Sequence, residues 1–369
     1  MQPLIISYNK KLARNCRPRE FMLPTRDCVR QTPAYTPGEQ PQTAGFTKLN
    51  TNENPYPPPA EIFAHLQEQL EKVRLYPDPI SKELRQTAAE LYGITADQII
   101  AGNGSDDILN IALRTFVNPG ESVAFLDLTY SLYETIARVH GANIIEFTTN
   151  DQFELAGPII CPEAKLIFLA SPNPPLGKHL ERDYLEATCA NASGLVLIDE
   201  AYVDFSDDNH LDFLSRYDNV IISRTMSKSY SLAGLRVGFG FASGAIIEQM
   251  DKVRDSYNLD RIAQTLATAA LKHHNYFEQV WQKVRQTRSR LITSLRELGF
   301  IVFDSEANFI LASPPHISAS ELYNQLKERQ ILVRYFKHPR IQNYVRISIG
   351  TDGEIDRLLS AIQEIMGTN

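Results

Sequence analysis

Along most of the chain, short apolar runs alternate with amphipathic stretches. The runs Leu166 to Ala170, Leu195 to Ile198 and Val220 to Ser223 are too short for helices and show little polar alternation, which predicts strands buried on both faces. Amphipathic stretches such as 60–74 and 131–139 predict helices between strands. This alternation, from about Leu49 to Val253, predicts an α/β domain with a mostly parallel central sheet flanked by helices. A long charged amphipathic stretch from about Arg261 to Leu298 predicts helices leading out of that domain. Beyond it FIVFD, ANFILAS, ILVRYF and VRISIG interleave with the helical SASELYNQLKERQ and DGEIDRLLSAIQEIM, predicting a smaller α+β domain. The expected divisions are an arm at 1–22 and a segment at 23–48 that contributes to the small domain and the substrate side. A large domain at 49–280 and a small one at 281–369 complete them. The proline-rich stretch 32–59 is expected to cross between the two domains.

Composition narrows the class. At 369 residues the chain has room for one large and one smaller domain. A net charge of −7 argues against nucleic acid or an anionic membrane as partner. Cys16, Cys28, Cys161 and Cys189 show no metal-ligand spacing, so reduced thiols and no metal are expected. PLIISY is too short for a signal peptide, and no apolar run approaches the ~18 residues of a membrane span. A soluble cytoplasmic enzyme is the expectation.

The stretch SRTMSKSYS at 223–231, running on into LAGLRVGFG, sets Lys228 among hydroxyls with Arg236 just downstream. A lysine titrates near ~10.4 and becomes a nucleophile when burial or positive charge lowers that value. Ser223, Thr225, Ser227 and Ser229 with an arginine fork suit a phosphate-like anion. Together these residues point to a phosphorylated aldehyde; alone, they also fit a polar turn with a solvated lysine. The strand Leu195 to Ile198 ends in Asp199 and Glu200, where open α/β sheets place ligand chemistry. A buried Asp199 stays ionised only against a cation such as a protonated pyridine nitrogen. A strand-end acid capping the next turn is the alternative. Tyr202, and Asn173 in KLIFLASPNPPLGK at 165–178, are candidates to meet a phenolate oxygen of the same ligand. IIAGNGSDDILNIAL at 99–113 predicts a strand, a glycine turn and a helix whose N-terminus, with Ser105, Asp106 and Asp107, is an anion site. Ser105 equally fits an ordinary N-cap.

AGNGSDD, DLTYSLY, SPNPPLG, LIDEAYVDF and SRTMSKSYSLAGLRVGF, in that order, resemble the fold-type I pyridoxal-phosphate enzymes of the aminotransferase class I/II family. TPAYTPGEQP, KLNTNENPYPPP, RLYPDP, EANFIL, ILVRYF and YVRISIGT are most similar to the branch of that family acting on histidinol phosphate, and the resemblance runs from about Leu23 to the C-terminus. It implies pyridoxal 5'-phosphate held covalently by Lys228, which also shuttles a proton, with Asp199 on the pyridine nitrogen and Tyr202 and Asn173 on the ring oxygen. Tyr130 would stack on the ring. Gly104, Ser105, Asp106, Thr225, Ser227 and Arg236 would hold the phosphate, joined by Tyr76 from the neighbouring subunit of a homodimer. Tyr35, Asn52, Arg334 and Arg346 fall on the substrate side, the two arginines serving a substrate phosphate or the carboxylate of glutamate. The implied reaction passes the amino group of L-histidinol phosphate to 2-oxoglutarate, in histidine biosynthesis. Transamination of aromatic amino acids, a threonine-phosphate-type decarboxylation and a non-catalytic protein of the same fold stay open. The chain departs from its relatives at Pro174 and Leu176, where a donor is lost and the turn stiffens.

Overall fold

The computed structural model describes residues 23–33, 38–41 and 45–367, so the expected arm at 1–22 lies outside the described residues. The chain opens with α1 (Asp27–Gln31), β1 (Thr47–Lys48), α2 (Leu66–Leu70) and α3 (Lys82–Tyr92). It then alternates through β2 (Ile99–Gly102), α4 (Ser105–Phe116), β3 (Ser122–Leu126), α5 (Leu132–His140), β4 (Asn143–Phe147) and β5 (Ala164–Ala170). After these come α6 (Arg182–Asn191), β6 (Leu195–Asp199), β7 (Val220–Thr225), β8 (Gly238–Ala242) and α7 (Gly244–Val253). The strands form a seven-stranded sheet in the order β2-β8-β7-β6-β5-β3-β4. Strand β8 runs antiparallel to both its neighbours, and the other pairs are parallel. Successive side chains enter different cores: Val196, Ile198, Val220 and Ile222 pack in one cluster, Leu197 and Ile221 in another. Both faces are therefore buried, which is why these strands read as nearly unbroken apolar runs.

Helices α8 (Arg261–Lys272) and α9 (His274–Glu297) lead to β9 (Ile301–Val302), β10 (Phe309–Ser313), α10 (Ala319–Glu328), β11 (Ile331–Leu332), β12 (Arg334–Tyr335), β13 (Val345–Ser348) and α11 (Asp352–Met366). A four-stranded antiparallel sheet has the order β12-β13-β10-β9, and β1 pairs in parallel with β11, so the chain before Leu49 joins this second part. One expectation changes, and one proposed boundary lies within a helix. The division at residue 280 falls inside α9, which buries Phe277, Val280, Trp281 and Val284 without a break. The stretch 60–74 is not one helix but a 3-10 turn at Ala60–Phe63 followed by α2, which buries no residue. Without an apolar face to dock, so short a helix does not extend. No helix among the described residues is long and apolar enough to cross a membrane.

Candidate active site

Strands β3, β5, β6 and β7 point the same way, so the turns after them open on one edge of the sheet. Those turns bring Tyr130, Pro172, Asp199, Tyr202, Thr225, Ser227 and Lys228 to a cavity of about 840 Å³. Arg334 and Arg346 of the second sheet, with Phe336 just after β12, form its opposite wall, with Asn50, Thr51 and Asn52 between. The crevice beyond the carboxyl ends of the strands is where an open α/β sheet has unpaired backbone and free loops to build a site.

The two-residue period of a strand divides the acids at the end of β6. Asp199 falls on the face of Leu197 and looks into the cavity, while Glu200 turns to the opposite face. Strand β7 repeats the division in register, Asp199 lying beside Ser223. Ser223 Oγ donates to Asp199 Oδ1 at 2.9 Å, and on the other face Arg224 Nε and Nη2 donate to Glu200 Oε2 at 2.8 and 2.7 Å. Burial works to raise the Glu200 carboxyl, but Arg224 and His210 outweigh it and hold it below the usual range. Asp199 meets no cation among the described residues. Burial pushes it up to about 6 against the hydroxyls of Tyr133 and Ser223.

Lys228 Nζ donates to the carbonyl of Thr51 at 3.0 Å. Burial brings the amine down to about 8, helped by the charge of Arg346 and opposed by Glu53. Glu53 is held below its ordinary range because Lys48 and Thr51 bind its carboxylate and outweigh burial. At the start of α4, Gly104 occupies the N-cap with φ 87° and no side-chain cap bond, and Ser105 is the first helical residue rather than the cap. Arg236 lies over this turn, donating to Ser227 Oγ at 3.0 Å and to Asp106 Oδ2 at 3.3 Å. Tyr130 closes the group, its hydroxyl donating to Asp106 Oδ1 at 3.1 Å. Helix N-terminus, hydroxyls and guanidinium thus converge beside the lysine.

Arg334 and Arg346 stand opposite each other on β12 and β13, both with Phe336 at 5.4 Å from the guanidinium carbon. The structure thus gathers most of the residues expected at the site, with three exceptions. Asn173 is buried but turns its amide to the 128–129 turn, Nδ2 donating to Leu128 O at 2.9 Å and Oδ1 accepting from Thr129 Oγ1 at 2.6 Å, so it holds that turn. Tyr76 is 77% exposed and absent from the cavity wall, stacked on Tyr257. Tyr35 lies outside the described residues. The altered turn supplies a wall: Pro174 lines the cavity, and Leu176 packs with Leu128, Leu311 and Ile341. Sequence reasoning missed Tyr133, one helical turn beyond Tyr130, whose buried hydroxyl donates to Asp199 Oδ2 at 2.9 Å. It also missed Arg340. This residue carries the 336–344 segment across the cavity to the first sheet, donating to Asp127 Oδ2 at 2.5 Å and Thr149 Oγ1 at 2.8 Å.

The family model described as aminotransferase class I and II matches residues 44–362. Over 348 residues, 94% of this chain and all of the relative, the sequence is 97% identical to a histidinol-phosphate aminotransferase of Microcystis aeruginosa. It is 65% identical over 347 residues, 94% of this chain and 99% of the relative, to the protein so named in Synechocystis. Among solved structures, the histidinol-phosphate aminotransferase of Sinorhizobium meliloti in complex with pyridoxal-5'-phosphate matches with a TM-score of 0.84 at 23% identity, covering 95% of this chain and 99% of that one. L-Threonine-O-3-phosphate decarboxylase of Porphyromonas gingivalis matches with a TM-score of 0.77 at 21% identity, covering 87% and 99%. At such identities the structural likeness concerns the fold, while the sequence relatives and the family model concern this chain more closely. The chain belongs to the class I and II aminotransferase family.

Proposed function

We propose that the chain is a pyridoxal-phosphate aminotransferase that passes the amino group of L-histidinol phosphate to 2-oxoglutarate. The observation that carries the substrate class is the arginine pair, set opposite one another on β12 and β13 and sharing a cavity with Lys228. Two guanidiniums in one wall suit a phosphate dianion and, in the return half of the reaction, the carboxylate of an oxo acid. An aromatic amino acid offers that wall one carboxylate only. The names of the relatives at 97% and 65% identity favour the same substrate.

The residues present fit the cofactor. Asp199, buried and raised to about 6, suits a protonated ring nitrogen whose charge would return it to the ionised form. The bare Cα of Gly104 leaves Arg236 room at the start of α4, where Ser105, Thr225 and Ser227 add donors for a phosphate. Tyr202 would meet the ring oxygen and Tyr130 would cover the ring face. When bound, the cofactor supplies an aldehyde that links to an amine and a ring that takes up the electron pair left as a proton departs from the adjoining carbon. Lys228 Nζ, brought down to about 8, carries enough free amine near neutrality to take that proton and return it. The free Nζ amine donates to the Thr51 carbonyl. Tyr133 and Ser223 fix the Asp199 carboxylate from two sides, so that it faces the cavity in one orientation.

Two copies would share each site, with Tyr76 reaching the neighbour's phosphate. Tyr76 is held by Arg261 Nη2 on its carbonyl at 2.7 Å, and Leu70, Val73, Leu75 and Ile80 in the same stretch of chain are exposed as well, apolar surface suited to a second copy. A monomeric mass by light scattering would reject this pairing. The reaction itself is tested by borohydride reduction of the loaded protein, which should fix the cofactor on the peptide containing Lys228. Lys228→Ala should form no glutamate from histidinol phosphate and 2-oxoglutarate; parental turnover by that variant rejects the assignment.

A further inference from the structure

Asn52 sits buried with φ at +56° and is clamped from the second sheet. Its N–H donates to Ser348 Oγ at 2.8 Å, and its carbonyl accepts from Asn308 Nδ2 at 2.9 Å. Its side-chain Nδ2 donates to the phenol oxygen of Tyr202 at 3.1 Å. A second bond from Ser348 accompanies these. Ser348 Oγ already accepts from the Asn52 N–H, and its one hydrogen goes to Asn52 Oδ1 at 2.9 Å. With Ser348 donating to Oδ1, the amide turns its NH2 side to Tyr202. A phenol oxygen that accepts from the amide keeps its own hydrogen for another acceptor, and Tyr202 lines the cavity.

We propose that Ser348 is a positioning residue that, through the Asn52 amide, sets Tyr202 as a hydrogen-bond donor toward the ring oxygen of the cofactor. This rests on the reading of the site given above. Ser348 shares a strand face with Arg346, two residues earlier on β13. Phe309, its partner in register on β10, meets the Tyr202 ring edge-on at 5.0 Å and lies under the Arg346 guanidinium at 5.2 Å. The strand that carries an arginine of the substrate wall thus also orients the phenol.

The readout is the pH midpoint of the visible absorption of the cofactor on Lys228. A donor to the ring oxygen favours the deprotonated chromophore and lowers that midpoint. Ser348→Ala leaves the amide without its anchor, so the midpoint should rise, corresponding to about a 3- to 10-fold change in the acid constant. Ser348→Thr keeps the hydroxyl and should stay near the parent. Should Ser348→Ala fail to fold, the nearly isosteric Ser348→Cys, a weak donor, carries the same expected rise. An unmoved midpoint in the variant lacking the hydroxyl, or an equal rise in Ser348→Thr, overturns the proposal. Tyr202→Phe separates the two levels: if it leaves the midpoint unmoved, the placement of Tyr202 on the ring oxygen fails. If it raises the midpoint while Ser348→Ala does not, only the role of Ser348 fails.

Discussion

Gly104→Ala strains the backbone and crowds Arg236 with a single methyl group. Gly104 has φ 87° and ψ 167°, a region that only glycine enters readily. Holding alanine there costs ~1–3 kcal/mol. The added Cβ would lie 2.6 Å from Arg236 Nη2 and 3.2 Å from Cζ. The guanidinium is the far end of a flexible side chain, so it yields, leaving Ser227 and Asp106. A charged hydrogen bond to the cofactor phosphate is worth ~1.5–3 kcal/mol. At ~1.4 kcal/mol per factor of ten, the cofactor Kd should rise roughly 10- to 150-fold. Equilibrium dialysis of pyridoxal phosphate against the apoprotein reads this, with thermal unfolding measured in parallel. Gly120→Ala is the control: Gly120 also has φ +87°, but its Cβ would meet nothing within 4 Å. It should lose stability and keep cofactor affinity. Gly104→Ala binding the cofactor within about twofold of the parent would refute the role given to this turn.

Glu200→Gln leaves Arg224 buried without its carboxylate and should cost ~3–5 kcal/mol in urea unfolding. Because the folded carboxyl is held below its unfolded value near ~4.3, its contribution is present above that pH and fades as pH falls through the folded value; a stability equal to the parent's at pH 7 would contradict this. Capture of pyridoxal phosphate by the apoprotein should quicken with pH to a midpoint of about 8, since the free amine of Lys228 reacts, and Arg346→Gln should raise that midpoint. A parental midpoint near the ordinary lysine value of ~10.4 argues against the buried amine. Arg340→Ala frees the 336–344 segment from Asp127 and should raise KM for the amino donor about 2- to 10-fold, the span of ~0.5–1.5 kcal/mol, with a smaller change in kcat. An unchanged KM would leave Arg340 without a part in closing the site.

The gathering of Lys228, Asp199, Tyr202 and Arg236 around one cavity was legible because each sits within a few residues of a buried apolar strand, so strand, turn and candidate chemistry appear in one short window. Tyr133 was not: its bond to Asp199 spans 66 positions and exists only because α5 packs over the sheet. Ser348, 296 positions from Asn52, is hidden for the same reason. Arg224 and Glu200 could have been paired by extending the two-residue period one step along adjacent strands, since Ser223 and Asp199 are in register. The amide of Asn173 follows a turn partner, Thr129, that local pattern does not reveal. The proposed division at residue 280 lies inside α9, whose amphipathic period continues through it, one helix serving both parts of the chain.

In the proposed function, the wall formed by Arg334 and Arg346 selects a phosphorylated amine for the lysine chemistry. Rapid mixing of the loaded protein with L-histidinol phosphate, phenylalanine, tyrosine or threonine phosphate, without an oxo acid, follows the visible band as it gives way to the pyridoxamine form. Histidinol phosphate should convert it fastest. Conversion ~10-fold faster with the aromatic amino acids, a barrier difference of about 1.4 kcal/mol, would contradict the substrate while leaving the reaction class standing.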